Sequence, residues 1–403
     1  MTVPAPECTA LKIESVSSYV IRIPRNFRDA IGGAGSPSSL QLTNRRYRSA
    51  ESYSTVYSQD IECLLVKIEA GGFIGWGEAQ APVAPEICHA IIEHLVGPLV
   101  VGAPAMPAAT FRRLYDAMRV RGHSGSFYLD ALAAVDLALW DLLGKVTGKS
   151  VSDLLGGASR SSIPSYVSGL LGTEHKSQVE YAMSKVQQGA KAFKVYWSDC
   201  FDQGLSLIER LRAQLPAKTE IYVDTLWRMN RQQAAEYANR LADLHVGWLE
   251  APLIPEDIAG HIWLCSVSRT AIAIGESYRS SWDFGRLTEE RAADILQPDL
   301  GRCGITTTRE VIEMCARHNM GFAPHVSIGL GPQLAAALHT SAIAPTLIRT
   351  ECNPDVLAVA RKFSNIDMEQ EFSEFRIPAG PGLGVDISEH ALQPYVTATT
   401  TVT

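Results

Sequence analysis

The sequence predicts an α/β fold, namely a (β/α)8-type barrel with an α+β capping domain formed by the N-terminal region and the C-terminal tail. Three observations predict it. The chain has 403 residues, which is enough for two or three domains. Its first part combines long strand-like runs with helical periodicity. From about residue 141 onward, short apolar runs alternate with amphipathic stretches, as in βα units.

The N-terminal region contains two strand-like segments, at residues 13–24 and 60–79. Gly71-Gly72 supplies a hairpin turn within the second segment. Apolar residues at three- to four-residue spacing then predict helices over 85–99, 109–118 and 127–143. Together these elements predict an α+β module.

Residues 26–55, between the two strand segments, are rich in Gly, Ser and Arg. A loop this long in a compact chain is typical of a functional segment, so we expect an active-site lid, although a solvated surface loop has the same composition. The predicted domains are a capping domain over 1–140 that includes this lid, a barrel over 141–365 that carries the catalytic site, and a C-terminal segment over 366–403 that returns to the cap.

The barrel prediction depends on eight apolar runs in the second part of the chain. They are SSIPSYVSG (161–169), AFKVYW (192–197), EIYVD (220–224), GWLE (247–250), AIAIGE (271–276), ADILQPD (293–299), GFAPH (321–325) and TLIRTE (346–351). Eight parallel strands, each followed by a helix, close into a barrel whose strand carboxyl ends open on one face.

Six of these runs end in an ionisable residue, and successive ones lie 23 or 26 residues apart, about the length of one βα unit. They are Asp224, Glu250, Glu276, Asp299, His325 and Glu351. A single acid after a strand is about as often the cap of the next helix. Six consecutive strands with this feature instead predict a cluster at the barrel mouth. Lys194 and Tyr196, two residues apart on the second strand, point to the same face.

Asp224, Glu250 and Glu276 come from three adjacent predicted strands. Three facing carboxylates repel one another unless they are protonated or share a cation. Because the set holds neither Cys nor His, its oxygen-only ligands favour Mg²⁺ over zinc, and Mn²⁺ suits the same set. The sequence therefore predicts a divalent-metal site.

His325 and Asp299 lie on neighbouring strands, where a carboxylate can hold one imidazole nitrogen and leave the other as a general base. Glu351, if buried beside anionic groups, would have a raised pKa and donate a hydrogen bond as a neutral acid. Lys194 can neutralise developing negative charge, and the Tyr196 phenol can donate or accept a proton if nearby cations lower its pKa. This combination predicts abstraction of a proton α to a carboxylate.

Composition excludes several functional classes. The net charge is −7 without a long basic run, so we expect no nucleic-acid partner and local cations for an anionic small-molecule substrate. No apolar run reaches the length of a membrane helix, and the eight cysteines form no CxxC pair. The first residues lack a signal-peptide pattern, from which we expect a cytoplasmic location. A homo-oligomer is expected because such barrels commonly form one.

Four motifs outside the predicted site resemble landmarks of one protein family. They are GWGEA at 75–79, DALAAVDLALWDLLGK at 130–145, SVSDLLGG at 150–157 and PAGPGLGV at 378–385. With the strand-end residues in matching order and spacing, the chain resembles the mandelate racemase-like branch of the enolase superfamily over nearly its whole length.

This resemblance implies a Mg²⁺-dependent enzyme with its site at the barrel mouth. The implied metal ligands are Asp224, Glu250 and Glu276. His325 in APHVS with Asp299 in QPDLGRCG would form the catalytic dyad, and Glu351 in RTECNP would hydrogen-bond the substrate carboxylate.

Two positions depart from the family pattern. Racemases of this branch have Lys-x-Lys at the end of the second strand, whereas this chain has Lys194-Val195-Tyr196. A racemase needs a base on each face of the α-carbon, and a phenol is a poorer base than a lysine with a lowered pKa, so one-sided chemistry is favoured. Leu226 stands two residues after Asp224, where relatives often carry a polar residue, which removes one expected contact.

These features lead to the hypothesis of Mg²⁺-dependent dehydration of a sugar acid, an aldonate or aldarate, to a 2-keto-3-deoxy acid, with His325 removing the α-proton. Arg45, Tyr47 and Trp227 are candidate substrate contacts, although a solvated charge run and packing of the rim are the simpler interpretations. A racemase or epimerase of a 2-hydroxy acid and a lactone cycloisomerase are alternatives. A non-enzymatic barrel is disfavoured because every expected group is present.

Overall fold

The structure is a computed structural model that describes residues 11–24, 46–49, 55–172, 174–196, 201–366 and 373–403. Most of the predicted lid over 26–55, including the candidate substrate contact Arg45, lies outside the described residues. No helix in the described ranges is both long and apolar enough to cross a membrane.

The capping region contains an antiparallel sheet in which the C-terminal strand pairs with the N-terminal one. Its strands lie in the spatial order β15-β1-β4-β5, and β2 and β3 form a separate small hairpin. The bounds are β1 Ser15–Pro24, β2 Tyr47–Ser49, β3 Val56–Ser58, β4 Asp60–Ala70, β5 Phe73–Ala79 and β15 Val396–Val402. The predicted turn at Gly71-Gly72 joins β4 to β5, with both glycines at positive φ, 56° and 79°.

Five helices follow β5 in the chain, and the longest of them packs against the sheet. They are α1 Pro85–Ile91, α2 Gly97–Val100, α3 Pro107–Arg119, α4 Ser126–Thr147 and α5 Val151–Leu154, with a π-helical turn over Ile92–Val96. The nearly wholly buried α4 packs against β5 at the two glycines of GWGEA. A Cβ at Gly77 would lie 1.9 Å from the carbonyl oxygen of Ala134, so only glycine permits this approach.

Eight parallel strands, each followed by a helix, form the second region among the described residues. The strands are β6 Ser162–Ser168, β7 Ala192–Tyr196, β8 Glu220–Asp224, β9 Trp248–Glu250, β10 Ala271–Ile274, β11 Ile295–Leu296, β12 Gly321–Phe322 and β13 Thr350–Cys352. The helices are α6 His175–Gln187, α7 Phe201–Gln214, α8 Arg231–Asp243, α9 Ile258–Val267, α10 Ser281–Glu289, α11 Leu300–His318, α12 Pro332–Ile343 and α13 Pro354–Ala360.

The strands pair in chain order from β6 to β12, and β13 pairs with β6 on its other side. Residues 346–348 complete the ring, because Phe322 in β12 donates to the carbonyl of Thr346 and accepts from the N–H of Ile348. The segment thus crosses from β12 to β6, and for this reason β13 is Thr350–Cys352 rather than the predicted 346–351.

Strands β11 and β12 are two residues long, shorter than their predicted runs. Pro298 and Pro324 follow them, and a proline has no N–H for a ladder hydrogen bond. Asp299 and His325, one residue beyond each proline, still pair side by side as an isolated parallel bridge. The ionisable residues at these two ends therefore remain adjacent.

Aromatic side chains fill the barrel interior beneath the mouth. The rings of Tyr222 and Trp248 are stacked with centroids 3.4 Å apart, and Tyr166 packs edge-on against both. The Lys194 Nζ lies 5.8 Å from the Tyr166 ring centroid. This layer forms a buried aromatic floor beneath the charged groups.

The C-terminal segment adds β14, Glu374–Arg376, antiparallel to β6, and the short α14, Glu389–Leu392, before β15 joins the cap sheet. The predicted fold class, a barrel with an α+β cap built from both ends of the chain, is confirmed. The predicted boundary between residues 140 and 141 falls inside α4. The domain bounds stay predictions.

Candidate active site

Three acidic side chains meet at the mouth of the barrel. Asp224 and Glu250 end β8 and β9 and lie opposite each other in the parallel ladder, and Glu276 follows β10 by two residues. Carboxylate oxygens of the three lie within 4.8 Å of one another, and the residues are at most 9% exposed. The structure therefore brings together the three residues predicted to bind a metal.

Glu250 is the most heavily hydrogen-bonded of the three. One oxygen accepts from Lys194 Nζ at 2.6 Å, and the other accepts from the Trp248 indole at 3.0 Å and the Gln297 amide at 2.7 Å. These donors fix the orientation of the carboxylate.

The donor set fits a divalent cation. Five buried carboxylates lie at the mouth, and among the described residues only Lys194 and His325 form ion pairs with them. Burial and the nearby Glu250 charge raise the pKa of Asp224 well above its usual value. Such an excess of oxygen-borne negative charge is what a hard cation such as Mg²⁺ neutralises.

His325 and Asp299 form a hydrogen-bonded pair. The His325 Nδ1 lies 2.6 Å from Asp299 Oδ2, and its Nε2 points into the mouth, 2.9 Å from Glu276 Oε2 and 3.7 Å from Glu351 Oε2. Burial alone would lower the pKa of His325, but the charges of Glu276 and Glu351 and the Asp299 hydrogen bond raise it well above the usual value. The Nε2 atom is the one that can exchange a proton with a molecule in the mouth.

Lys194 lies at the centre of the cluster, fully buried. Its Nζ is 2.6 Å from Glu250, 3.1 Å from Glu351 and 3.5 Å from Asp224. Burial favours the neutral amine, but these carboxylates outweigh it and raise the pKa of Lys194 well above its usual value. Lys194 is therefore a fixed cation.

The expected raised pKa of Glu351 is wrong. Burial opposes its charge, but Lys194, His325 and hydrogen bonds from Ser168 and the Val326 backbone lower the pKa of Glu351 well below its usual value. The backbone N–H of Ser327 donates to it as well, at 3.0 Å. Because its neighbours are cations and donors rather than anions, Glu351 is an ionised acceptor and not a neutral acid.

Tyr196 is linked to Glu351 through a residue that ends β6. The Ser168 Oγ lies 2.5 Å from Glu351 Oε1 and 3.0 Å from the Tyr196 hydroxyl oxygen. An ionised carboxylate only accepts, so Ser168 donates its proton to Glu351 and accepts from Tyr196. The Tyr196 hydroxyl thus donates into the barrel wall and leaves its oxygen free to accept from a ligand. Gly169, at φ 82°, allows this packing, since a Cβ there would lie 3.1 Å from the ring.

The proposed lowering of the Tyr196 pKa by cations is also wrong. Burial raises the pKa of Tyr196, and this effect exceeds the opposite influence of Lys194. The phenol therefore stays protonated at neutral pH.

Two of the predicted substrate contacts, Tyr47 and Trp227, lie in different parts of the molecule. The Tyr47 hydroxyl donates to Glu62 and accepts from the Ala84 backbone, both in the cap. Trp227 lies in the loop after β8. Its backbone N–H donates to the carbonyl of Ala251, in the loop after β9, at 2.6 Å, and its φ is positive, at 56°. Leu226 precedes it at φ 52°, and its N–H donates to Asp224 Oδ1 at 3.0 Å. The backbone thus supplies a hydrogen bond to Asp224 that the leucine side chain cannot.

Sequence reasoning missed four residues that hydrogen-bond to the cluster, namely Ser168, Trp248, Gln297 and Gln333. Trp248 and Gln297 precede Glu250 and Asp299 by two residues, so the period of a strand places them on the same face and could have identified them. Ser168 lies at the carboxyl end of the predicted strand run 161–169, where side chains at the barrel mouth are expected. Gln333 lies on α12, and no spacing in the sequence points to it.

Comparisons with known proteins agree with this architecture. Residues 178–391 match the family model described as enolase C-terminal domain-like, and residues 42–156 match the mandelate racemase / muconate lactonizing enzyme N-terminal domain. The two models together span both the cap and the barrel.

Three relatives illustrate the similarity. The chain is 29% identical to the D-galactarolactone cycloisomerase of Agrobacterium fabrum over 350 residues, 82% of this chain and 90% of that protein. It is 29% identical to the D-galactonate dehydratase of Ralstonia nicotianae over 356 residues, 83% of this chain and 91% of that protein. A crystal structure of an enolase superfamily member from Agrobacterium tumefaciens superposes with a TM-score of 0.88 at 34% identity, covering 95% of this chain and 98% of the other. The chain belongs to the enolase superfamily, in its mandelate racemase-like branch.

Proposed function

We propose that this protein is a hydro-lyase that dehydrates a sugar acid, an aldonate or aldarate, to a 2-keto-3-deoxy acid with Mg²⁺ as cofactor. The observation that carries the proposal is a single oriented base, His325 on Asp299, beside a buried carboxylate triad. Relatives named as a dehydratase and a cycloisomerase of sugar acids support this class of reaction.

The triad is the proposed metal site, with Asp224, Glu250 and Glu276 as ligands to Mg²⁺ or Mn²⁺. When bound, the cation would offset the charge that raises the pKa of His325 and would stabilise negative charge developing on the substrate carboxylate. Trp248 and Gln297 hold Glu250 in place for this role.

His325 is the proposed base. Its Nδ1–H is held by Asp299, which leaves Nε2 to accept the proton from the carbon next to the substrate carboxylate. The protonated imidazole is then the acid that returns a proton to the departing hydroxyl. Loss of water from an α,β-dihydroxy acid gives an enol, which tautomerises to the 2-keto-3-deoxy acid.

Lys194 and Glu351 serve the charge balance of the reaction. Lys194 is a buried cation that stabilises charge on the substrate carboxylate, and Glu351 holds Lys194 in place at 3.1 Å. Tyr196 accepts a hydrogen bond from a substrate hydroxyl, because its own proton is directed at Ser168. Tyr47, Trp227 and Arg45 stay predicted substrate contacts.

A racemase or epimerase is less well supported. It needs a second base on the opposite face of the α-carbon, and the two candidates on β7 lack that character. Lys194 is held in its charged form by Glu351, which is not one of the proposed metal ligands, and burial raises the pKa of Tyr196. Neither can readily remove a proton at neutral pH.

A lactone cycloisomerase is the second candidate, favoured because the raised pKa values of Lys194 and Tyr196 make both groups weak proton donors. Elimination of a lactone releases a carboxylate, which needs no proton to depart, whereas a hydroxyl does. With a cation offsetting the mouth carboxylates, His325 would both take and return a proton, whereas Lys194 stays paired with Glu351 and burial keeps Tyr196 protonated. With a lactone, His325 would need only to take the α-proton, because the leaving carboxylate needs no proton in return.

The test is a screen of the purified full chain with Mg²⁺ against four- to six-carbon mono- and diacid sugars and their lactones, with 2-keto acid formation as the readout. Keto acid from open-chain acids that disappears in His325→Asn supports dehydration, and keto acid from lactones alone supports the cycloisomerase. His339→Asn is the matched control, because His339 is equally buried but hydrogen-bonds Ser152 and the Leu383 carbonyl away from the mouth.

Deuterium incorporation at the α-carbon in D₂O without keto acid would overturn dehydration in favour of a racemase or epimerase. A wild-type chain that gives neither keto acid nor exchange with any member would contradict the whole proposal. The cytoplasmic location, the homo-oligomer and the absence of nucleic-acid and membrane partners stay predictions.

A further inference from the structure

A fully buried carboxylate of the cap closes the start of a barrel helix. Glu78, in β5, accepts the backbone N–H of Leu330 at 2.6 Å and that of Gln333 at 3.0 Å, one on each oxygen. These groups belong to the loop that follows His325 and to the first turn of α12, where helical N–H groups have no partner within the helix. The cap therefore fixes where α12 begins.

The side chain of Gln333 continues this contact to the dyad. Its amide nitrogen lies 2.9 Å from both Asp299 Oδ1 and the Val326 carbonyl oxygen. Because both partners only accept, the amide orientation is determined. Gly301 donates to the same Asp299 oxygen at 2.8 Å, which leaves Oδ2 for His325.

We propose that Gln333 and Glu78 are positioning residues for the reaction, with Gln333 holding Asp299 and Glu78 holding Gln333, so that the cap sets the orientation of His325. This inference rests on the proposed role of His325 as the base. It gives the cap a part in catalysis that is independent of any substrate contact.

A second cap carboxylate provides the matched control. Asp136, in α4, is also fully buried and accepts from the Thr306 N–H at 2.8 Å and the Thr306 hydroxyl at 2.6 Å, in α11. It joins cap to barrel by the same chemistry as Glu78. Among the described residues, the hydrogen bonds of Asp136 do not involve His325, Asp299 or Gln333. Its loss should therefore weaken the interface between cap and barrel but keep the contacts that lead from Glu78 through Gln333 to Asp299.

Two variants separate the links. Glu78→Gln offers one carbonyl oxygen in place of two carboxylate oxygens, so one of the two N–H groups at the start of α12 loses its acceptor. Gln333→Ala removes the amide that holds Asp299 but keeps its own backbone N–H on Glu78. Asp136→Asn is measured alongside both.

Three readouts are taken on the full chain. Hydrogen–deuterium exchange of residues 326–334 reports the Glu78 contacts. Crystal structures give the distance between His325 Nδ1 and Asp299 Oδ2. Turnover of a substrate found by the sugar-acid screen, divided into kcat and KM, reports the consequence for the reaction.

We expect Glu78→Gln to accelerate exchange of the amides of residues 330 and 333 and to lower kcat about 10-fold. Gln333→Ala should leave the exchange of these two amides unchanged but lower kcat about 10- to 100-fold, and neither variant should change KM much. In Gln333→Ala the His325–Asp299 contact should lengthen beyond hydrogen-bonding distance. Asp136→Asn should change neither this exchange nor kcat by more than about 2-fold.

The proposal is overturned if Gln333→Ala keeps the 2.6 Å contact, or if Glu78→Gln and Asp136→Asn affect residues 326–334 and kcat alike. The exchange and crystallographic readouts need no substrate. They therefore decide the positioning role even if the sugar-acid screen fails, which would count against the proposed function alone.

Discussion

Buried carboxylates occur in two regions of this protein with opposite surroundings. At the mouth, Asp224, Glu250 and Glu276 face one another, and Lys194 and His325 are their ion-pair partners among the described residues. At the junction of cap and barrel, which we call the seam, Glu78, Asp136 and Asp141 each accept two or more hydrogen bonds that include backbone N–H groups.

The difference separates structure from function. Neutral donors of the fold bind Glu78 and Asp136, and Lys145 joins the backbone donors at Asp141, so each seam carboxylate has its partners within the chain and joins two parts of it. The mouth carboxylates carry more negative charge than their neighbours neutralise. An excess of buried charge is unfavourable for the free protein and is typical of a site that awaits a ligand.

The largest effect on stability is expected from removing the Lys194 ammonium at the mouth. Lys194→Met removes the fully buried ammonium that Glu250 and Glu351 share, and breaking a buried ion pair costs about 3–5 kcal/mol. In metal-free protein we expect a large drop in the urea unfolding midpoint, partly restored by Mn²⁺.

Lys145→Met is the matched control at the seam. Lys145 pairs with Asp141 and with the exposed Asp386, but Asp141 also accepts the backbone N–H groups of Trp76 and Leu383. Its loss should cost about 1 kcal/mol. Equal losses of stability in Lys194→Met and Lys145→Met would contradict the proposed difference between the mouth and the seam.

The second prediction concerns the sign of carboxylate removal in metal-free protein. Asp224→Asn removes one of several repelling charges and should raise the free energy of unfolding by about 1 kcal/mol. Asp136→Asn places an amide against the Thr306 donors and should lower it by about 2 kcal/mol. Urea unfolding in EDTA measures both, and a loss of stability in Asp224→Asn would be inconsistent with excess charge at the mouth.

The third prediction is the pH dependence of the seam. Burial raises the pKa of Asp136 to about 7, whereas an unfolded aspartate has a pKa of about 3.9. The folded chain therefore keeps a proton that the unfolded chain releases, and this stabilisation is complete below about pH 4 and lost as pH rises to about 7. Asp136→Asn should consequently destabilise more at pH 5 than at pH 8, by about 2–3 kcal/mol in urea unfolding. An effect that is the same at both values would show that Asp136 titrates normally.

The smallest effect is expected at Tyr196. Because its proton is directed at Ser168 and burial raises its pKa, Tyr196 contributes a hydrogen-bond acceptor and no proton. Tyr196→Phe should lower kcat less than about 10-fold and raise KM, in the steady-state kinetics of the sugar acid. A fall of about 1,000-fold in kcat would make Tyr196 the acid or base.

The sequence predicts the barrel because its signal is repeated. Eight apolar runs, six of which end in ionisable residues at nearly constant intervals, leave one arrangement in which all ends converge, and the structure has it. Details of single strands are less predictable. The shift of β13 depends on residues 346–348 pairing with Phe322, which no local pattern in the run TLIRTE reveals.

The same limit applies to protonation states. The pKa of Glu351 depends on which groups reach it. These are the Lys194 ammonium from β7, two backbone N–H groups from the loop after β12 and the Ser168 hydroxyl from β6. Gln333 was missed for a similar reason, since it lies on α12 and contacts Glu78 of the cap and Asp299 of the barrel, both distant in sequence. Contacts between distant segments are not encoded in any periodicity.

The most direct test of the excess charge at the mouth is calorimetric titration of Mn²⁺ or Mg²⁺ into metal-free protein. Wild type and Asp136→Asn should bind one ion with the same affinity, and Glu250→Gln should bind at least about 100-fold more weakly, because it removes a ligand and part of the negative charge. Absence of binding to wild type, or equal binding by Glu250→Gln, would contradict the assignment of the mouth carboxylates as a metal site.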